Sequence, residues 1–304
     1  MAKGIGSLVD GQGRVDCTPS YGLRVLPLLK RDLLSLSMLC AVMALWCGCG
    51  RGAQGQILGI GGSKVPVVPV VIPTLQAPSA GFVYPAKQTL TFTVDWGRAF
   101  TAASAVFHLE QVGDVHKVTA SADTIGAVTM LFPVVDRFQA GFDTKTGCSQ
   151  GFSKQLQEGR RKVTGDLRFD YSQGKQTLLE KNLVKGTQKE QTASIPGCVT
   201  DSLSAIFYAA SQPMAVGGTV KFPLADSMRT VTVVMKVEAK EEIKTPAGTF
   251  QTVRVQPTAD EGVVKNRGHI WIWYTDDARH MPVQIRARLF FGTITFHLLS
   301  FEGK

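Results

Sequence analysis

From Lys87 onward, apolar side chains recur at every second position, the period of a strand with one covered and one wet face. Leu90, Phe92, Val94 and Trp96 alternate with Thr89, Thr91, Thr93 and Asp95. The pattern returns at Val231 to Val237, Val283 to Leu289 and Ile294 to Leu298, with Thr, Lys, Gln, Arg and His between. Valine, threonine and aromatic residues suit a pleated, half-buried surface. Turn chemistry separates the runs. Thr245-Pro-Ala-Gly-Thr-Phe250, Gly217-Gly218 and Ser172-Gln-Gly174 supply the proline and glycine that chain reversals need.

Helical spacing occurs twice. Asp201 is placed to cap a short helix that puts Leu203, Ile206, Phe207 and Ala210 on one side. Residues 122–134 predict a second helix, ending at Pro133. Strands and helices do not alternate, which argues against a doubly wound fold. One strand breaks the two-residue period. His269-Ile-Trp-Ile-Trp-Tyr274 is apolar on both faces, so it should be covered on both sides, either by core packing or with one face lining a cavity.

The N-terminal region reads as an address. Lys30 and Arg31 precede the mostly apolar run 33–46, and Gly48, Cys49 and Gly50 follow. A basic stretch, a short apolar core and small residues make a secretory signal peptide. The run is too short for a transmembrane helix, which needs about 20 apolar residues. Residues 1–50 are therefore expected to be a leader, in which the unusually long lead 1–29 is explained by a start assigned too early, Val25 being one candidate for the true one. Cleavage after Gly50 is the expectation. A lipid anchor on Cys49 is the alternative, disfavoured because Trp46 stands where a lipoprotein signal prefers Leu. Residues 51–86 read as a tether, since Pro66, Pro69 and Pro73 rule out a central strand. Residues 87–304 then form a single β-rich domain in an exported or periplasmic protein.

Composition narrows the functional classes. The 304 residues include 33 Lys plus Arg against 24 Asp plus Glu, for a net charge of +9. That balance suits phosphate or anionic lipid. Only Arg160-Arg-Lys162 forms a basic run, and it reads as a solvated strand face, so a nucleic-acid partner is not expected. Four cysteines lie in the leader, which leaves Cys148 and Cys198 either as a disulfide, the expectation for an exported chain, or as two free thiols. No histidine falls between His116 and His269 to activate a thiol. Gly147-Cys-Ser-Gln-Gly151 matches a nucleophile elbow by letter, but its flanks read as antiparallel strands. The five histidines lack metal-ligand spacing, so neither metal nor other cofactor is expected. Asp276, Asp277 and Arg279 follow the tryptophan strand as a candidate polar site, or as a turn closed by an ion pair.

Several segments together resemble an exported bacterial family, domain of unknown function 3108. They are Tyr84-Pro85 leading into Leu90–Trp96, Asp136-Arg-Phe138, Phe152-Ser-Lys154, and Glu158-Gly-Arg160. Asp201-Ser-Leu-Ser-Ala-Ile-Phe-Tyr208, Thr245–Phe250, and Trp273-Tyr-Thr-Asp-Asp-Ala-Arg-His-Met-Pro282 complete the set. The resemblance implies a mainly β fold: a strongly curved antiparallel half-barrel similar to the lipoprotein carriers LolA and LolB, with one or two short helices on its concave face. It brings no catalytic residues. The expected function is non-enzymatic binding of an apolar or lipid-like ligand, with Phe92, Val94, Trp96, Trp271 and Trp273 lining the concavity. A structural or protein-interaction module of the envelope is the alternative, favoured by a filled core with an exposed apolar patch. A hydrolase using Asp276 and Asp277 is the least favoured. Membrane association is expected only through a lipidated Cys49.

Overall fold

The computed structural model describes residues 72–97, 100–259, 268–289 and 292–303. The signal peptide, Cys49, Pro66 and Pro69 lie outside the described residues. The first half of the domain holds β1 (Lys87–Trp96), β2 (Phe100–Val112), β3 (Val115–Thr124), α1 (Gly126–Leu131), β4 (Val135–Asp143), β5 (Ser149–Glu158), β6 (Arg161–Asp170), β7 (Lys175–Asn182) and β8 (Thr187–Ser194). A connector carrying α2 (Ser204–Ala210) leads to β9 (Thr219–Asp226), β10 (Arg229–Thr245), β11 (Gly248–Ala259), β12 (His269–Thr275), β13 (Pro282–Leu289) and β14 (Gly292–Gly303).

All these strands join one curved, unclosed antiparallel sheet, in the order β8 to β1 and then β14 to β9. Its middle seam pairs the first strand with the last, from Gln88 opposite Gly303 to Trp96 opposite Ile294. The two-residue period places Leu90, Phe92 and Val94 on the inner face beside Phe107, Phe296 and Leu298. Strand β8 forms one edge, and its polar residues Thr187 to Ser194 are mostly exposed, which discourages pairing with another chain. The other edge, β9, is covered. Thr200 donates to the Pro223 carbonyl (3.1 Å) and accepts from the Ala225 amide (2.8 Å), while the Val199 carbonyl accepts from Ser149 (2.8 Å). The connector thus bridges β5 to β9 across the concave side, and the Cys148–Cys198 disulfide fastens it there.

Every residue of α2 is buried. Asp201 caps it as the spacing predicts, accepting from the Leu203 and Ser204 amides at 2.8 and 3.0 Å. Tyr274 donates to the Ile206 carbonyl (2.7 Å), and the His280 ring meets the Ala210 carbonyl (2.7 Å).

Two expectations need correction. The helix expected over 122–134 is only Gly126–Leu131, with no buried residue, because 122–124 complete β3. It lies at one end of the sheet, so α2 is the one described helix on the concave side. The tether also ends earlier than residue 86. Gln76 donates to the Tyr208 hydroxyl (2.9 Å), Ser79 to the Ser211 carbonyl (2.8 Å), and Tyr84 is buried. Residues 72–86 therefore dock against α2 as part of the domain.

Candidate functional site

The expected ligand-lining residues divide between the two faces of the sheet. Phe92 and Val94 face inward but are buried among Phe107, Phe296 and their neighbours. Trp96, half-buried at the end of the same row, lies against Gly292. Trp271 and Trp273 are on the opposite face. Their partners Ile272 and Tyr274 point into the core opposite Val255 and Val253, which turns both indoles outward. They do not line the concavity.

The outer face of β12 is covered all the same, which explains its apolar character on both sides. The far half of the β10–β11 hairpin leans over β13 and β14. At its tip the Ala247 amide donates to the Leu298 carbonyl (3.0 Å), and Phe250 meets Phe301 edge to face. Beneath it the Trp273 indole donates to Glu241 (2.7 Å), Arg286 stacks on the ring at 5.2 Å, and Arg254 bridges Glu238 and Glu241. This network fits a buried indole whose N–H needs an acceptor.

The candidate polar site is a closed turn. Asp277 accepts from Thr275 Oγ1 (2.8 Å), from the Arg279 amide (3.0 Å) and from its guanidinium. Burial alone would raise the Asp277 carboxyl, but these donors outweigh it and hold it below the usual range. Asp276 pairs separately with Lys240 at 2.7 Å. The two carboxylates do not converge on a shared centre, as acid–base work would require.

Ser149, the serine of the elbow-like motif, is fully buried and donates to Asp201 at 2.6 Å. Ser204 donates to the same oxygen at 2.6 Å. Burial raises the Asp201 carboxyl, and the hydrogen bonds from Ser149 and Ser204 oppose that rise. The cluster joins β5, the connector and α2, and no histidine belongs to it. His116 is likewise buried, between Thr144 (2.8 Å) and the Pro85 carbonyl (3.3 Å). Burial lowers its pKa, against the pull of that carbonyl. Among the described residues no group of His, Cys, Asp and Glu could hold a metal.

Recesses occur on both faces of the sheet among the described residues. Gly141 and Gly151 face each other across β4 and β5, and their missing side chains leave an open depression of about 480 Å³ on the outer face, with a mixed polar and apolar lining. A smaller cleft lies between the inner face of β5–β7 and the β9–β10 turn, lined by Phe152, Lys154, Leu167, Leu178 and Ala225. Its volume is about 10 Å³, room for roughly one water. Lys154, only 5% exposed, crosses this cleft to Glu180 at 3.4 Å. The lysine was legible only as a letter in a motif, because nothing in sequence spacing pairs it with Glu180 two strands away.

The profile of a family described as protein of unknown function, DUF3108, matches residues 91–299. The chain belongs to that family. No curated protein matches this DUF3108 chain in sequence. A solved β-barrel-like protein of the domain of unknown function DUF1849 from Brucella abortus is similar in fold, with 10% identity and a TM-score of 0.50 over 73% of this chain and 99% of that one. A candidate exported protein with a YmcC-like fold from Bacteroides fragilis has 11% identity and a TM-score of 0.32 over 73% of this chain and 99% of that one. A candidate lipoprotein from Parabacteroides distasonis has 9% identity and a TM-score of 0.31, covering 73% of this DUF3108 chain and 98% of its own.

Proposed function

We propose that this DUF3108 protein is an exported envelope protein that acts by binding through its exterior, without catalysis and without enclosing a ligand. The observation that carries this reading is the filling of the concave face by the chain itself. Helix α2 and residues 72–86 occupy it, and the inner cleft is about 10 Å³, against roughly 300–1,000 Å³ for small-molecule pockets. Export is supported by the leader and by the Cys148–Cys198 bridge, which persists in oxidising compartments. Absence of catalysis is supported by the locked state of the candidate groups, since Ser149, Asp276 and Asp277 each hold a structural bond.

The test is native mass spectrometry of the exported protein, with organic extraction in parallel. The expected result is a bare polypeptide lighter by the two hydrogens of the disulfide. A stoichiometric lipid that co-purifies and is lost with Phe92→Ala would overturn the reading and restore an internal carrier.

A further inference from the structure

The two ends of the strands β2–β8 are built from different chemistry. At one end the turns carry Asp114, Asp143 and Asp170. Asp143 accepts from the Lys145 and Thr146 amides, and Asp170 from the Gln173 amide, as water-facing turns commonly do. At the other end, residues 125–134, 159–162 and 181–187 contain no acidic side chain. They present apolar tips instead. Met130 and Leu131 of α1 are 89% and 85% exposed, and Leu183 and Val184 of the β7–β8 turn are 56% and 61% exposed. Arg160, Lys162, Lys181 and Lys185 stand exposed among them.

These turns form one surface. The Gly159 amide donates to the Pro133 carbonyl (2.7 Å), and the Phe132 ring lies against Gly159. The Leu183 amide donates to the Lys162 carbonyl (2.9 Å), and Asn182 shapes the outer tip by accepting from the Val184 and Lys185 amides. Phe100 and Ile125 extend the apolar part, joined through the Ile125 amide and the Ala102 carbonyl. An aqueous role explains neither α1, a helix of Gly-Ala-Val-Thr-Met-Leu with nothing buried, nor the exclusion of acids. Apolar tips ringed by cations match the interface of an anionic bilayer, where apolar groups enter the headgroup boundary and cations meet phosphate.

We propose that this end of the sheet, centred on Met130, Leu131, Leu183 and Val184, docks reversibly onto an anionic phospholipid surface. The inference rests on the exterior-binding reading above and names its partner. Charge complementarity selects a bilayer: the charged side chains of these turns are all positive, the nearby exposed acid Asp123 is paired with Arg137 at 2.8 Å, and each cation near an anionic surface strengthens partitioning about fivefold. Docking there would direct the disulfide and the aspartate turns away from the membrane.

The test is co-sedimentation of the exported full-length protein with vesicles of phosphatidylglycerol mixed with phosphatidylcholine, and with phosphatidylcholine alone. Hydrogen exchange at residues 126–131 and 182–186 is followed in parallel. Preferential, salt-sensitive binding to the anionic vesicles is expected, with slowed exchange in both segments. Met130→Ser with Leu131→Ser should weaken binding about tenfold or more, and Arg160→Gln with Lys162→Gln and Lys185→Gln about a hundredfold. All five side chains are exposed, so an unchanged unfolding midpoint checks that the fold is intact. Variants share one N-terminus, so any contribution from the leader cancels. Equal binding to both vesicles, or unchanged binding of the variants, would overturn the inference. So would a protein that ignores vesicles but self-associates, or binds another protein, in a way that the Met130→Ser and Leu131→Ser pair abolishes; that outcome leaves the exterior-binding function standing.

Discussion

The side chain of Lys154 lies along the bare backbone of Gly165 and ends 3.4 Å from the carboxylate of Glu180. The three residues form one row across β5, β6 and β7, since Gly165 is opposite both others. A methyl group on Gly165 would stand 2.6 Å from Lys154 Cε and 3.2 Å from Cγ, so the glycine is what makes room for the stem.

Gly165→Ala should therefore destabilise the domain by about 1–3 kcal/mol through overpacking. Glu180→Gln should cost about 2 kcal/mol, less than for a fully buried pair because Glu180 is partly exposed. Lys154→Met combined with Glu180→Gln should be near neutral, since it removes the buried charge together with its partner. Urea unfolding of the three variants checks the order. A double variant as unstable as Glu180→Gln alone would refute the account.

Asp201 holds two amides and two hydroxyls, so Asp201→Ala should cost about 3 kcal/mol or more by leaving buried donors unpaired. Asp201→Asn keeps an acceptor for both amides and should cost less. Burial raises the folded carboxyl above 3.8, so the stability it contributes is whole below 3.8 and is lost as pH rises through the folded value. Asp201→Asn should therefore gain on the natural protein as pH rises, which chemical unfolding across a pH series can read.

The Cys148–Cys198 bridge spans 50 residues and restrains the unfolded chain. On the chain-entropy relation it stabilises by about 4 kcal/mol. Cys148→Ser with Cys198→Ser should lower the urea midpoint accordingly, and dithiothreitol should do the same to the natural protein but not to the variant.

His116 and His297 predict an acid-side loss of stability. Burial lowers both pKa values below 6.5; the Pro85 carbonyl opposes this at His116, and at His297 Asp95 opposes it while Arg286 adds to it. The folded state then binds fewer protons than the unfolded chain as pH falls. The stability due to them is whole above 6.5 and declines below it, by at most about 1.4 kcal/mol per pH unit for each histidine. His116→Gln should flatten that slope, measured by unfolding on either side of pH 6.5.

Legibility in the sequence followed the range of the interaction. The alternation at Leu90–Trp96 and Ile294–Leu298 marks strands because each residue reports its own side of one sheet. The Asp201 cap is equally local, with its amides two and three positions ahead. Trp271 and Trp273 were misplaced because covering both faces of β12 depends on a hairpin folding over it, with Glu241 thirty-two residues away. Residues 122–134 have helix-like spacing, yet three of them serve β3, where pairing with Ala103 to Ala105 overrides local preference. The apolar, cationic end of the sheet is scattered over three turns, and only antiparallel connectivity gathers them.

The seam between β1 and β14 bears on the order in which the domain can be made. Strands β1 to β8 pair with sequence neighbours, so they can zip up hairpin by hairpin as the chain emerges. The inner edge of β1 must wait for the final dozen residues, about two hundred positions later, because Gln88 pairs with Gly303. Until then a half-sheet with an open edge and an uncovered apolar face is exposed to whatever surrounds it. A chain crossing a membrane N-terminus first would carry that vulnerable half through ahead of its completing strand, so the interval before β14 arrives is when aggregation through the β1 edge competes with folding.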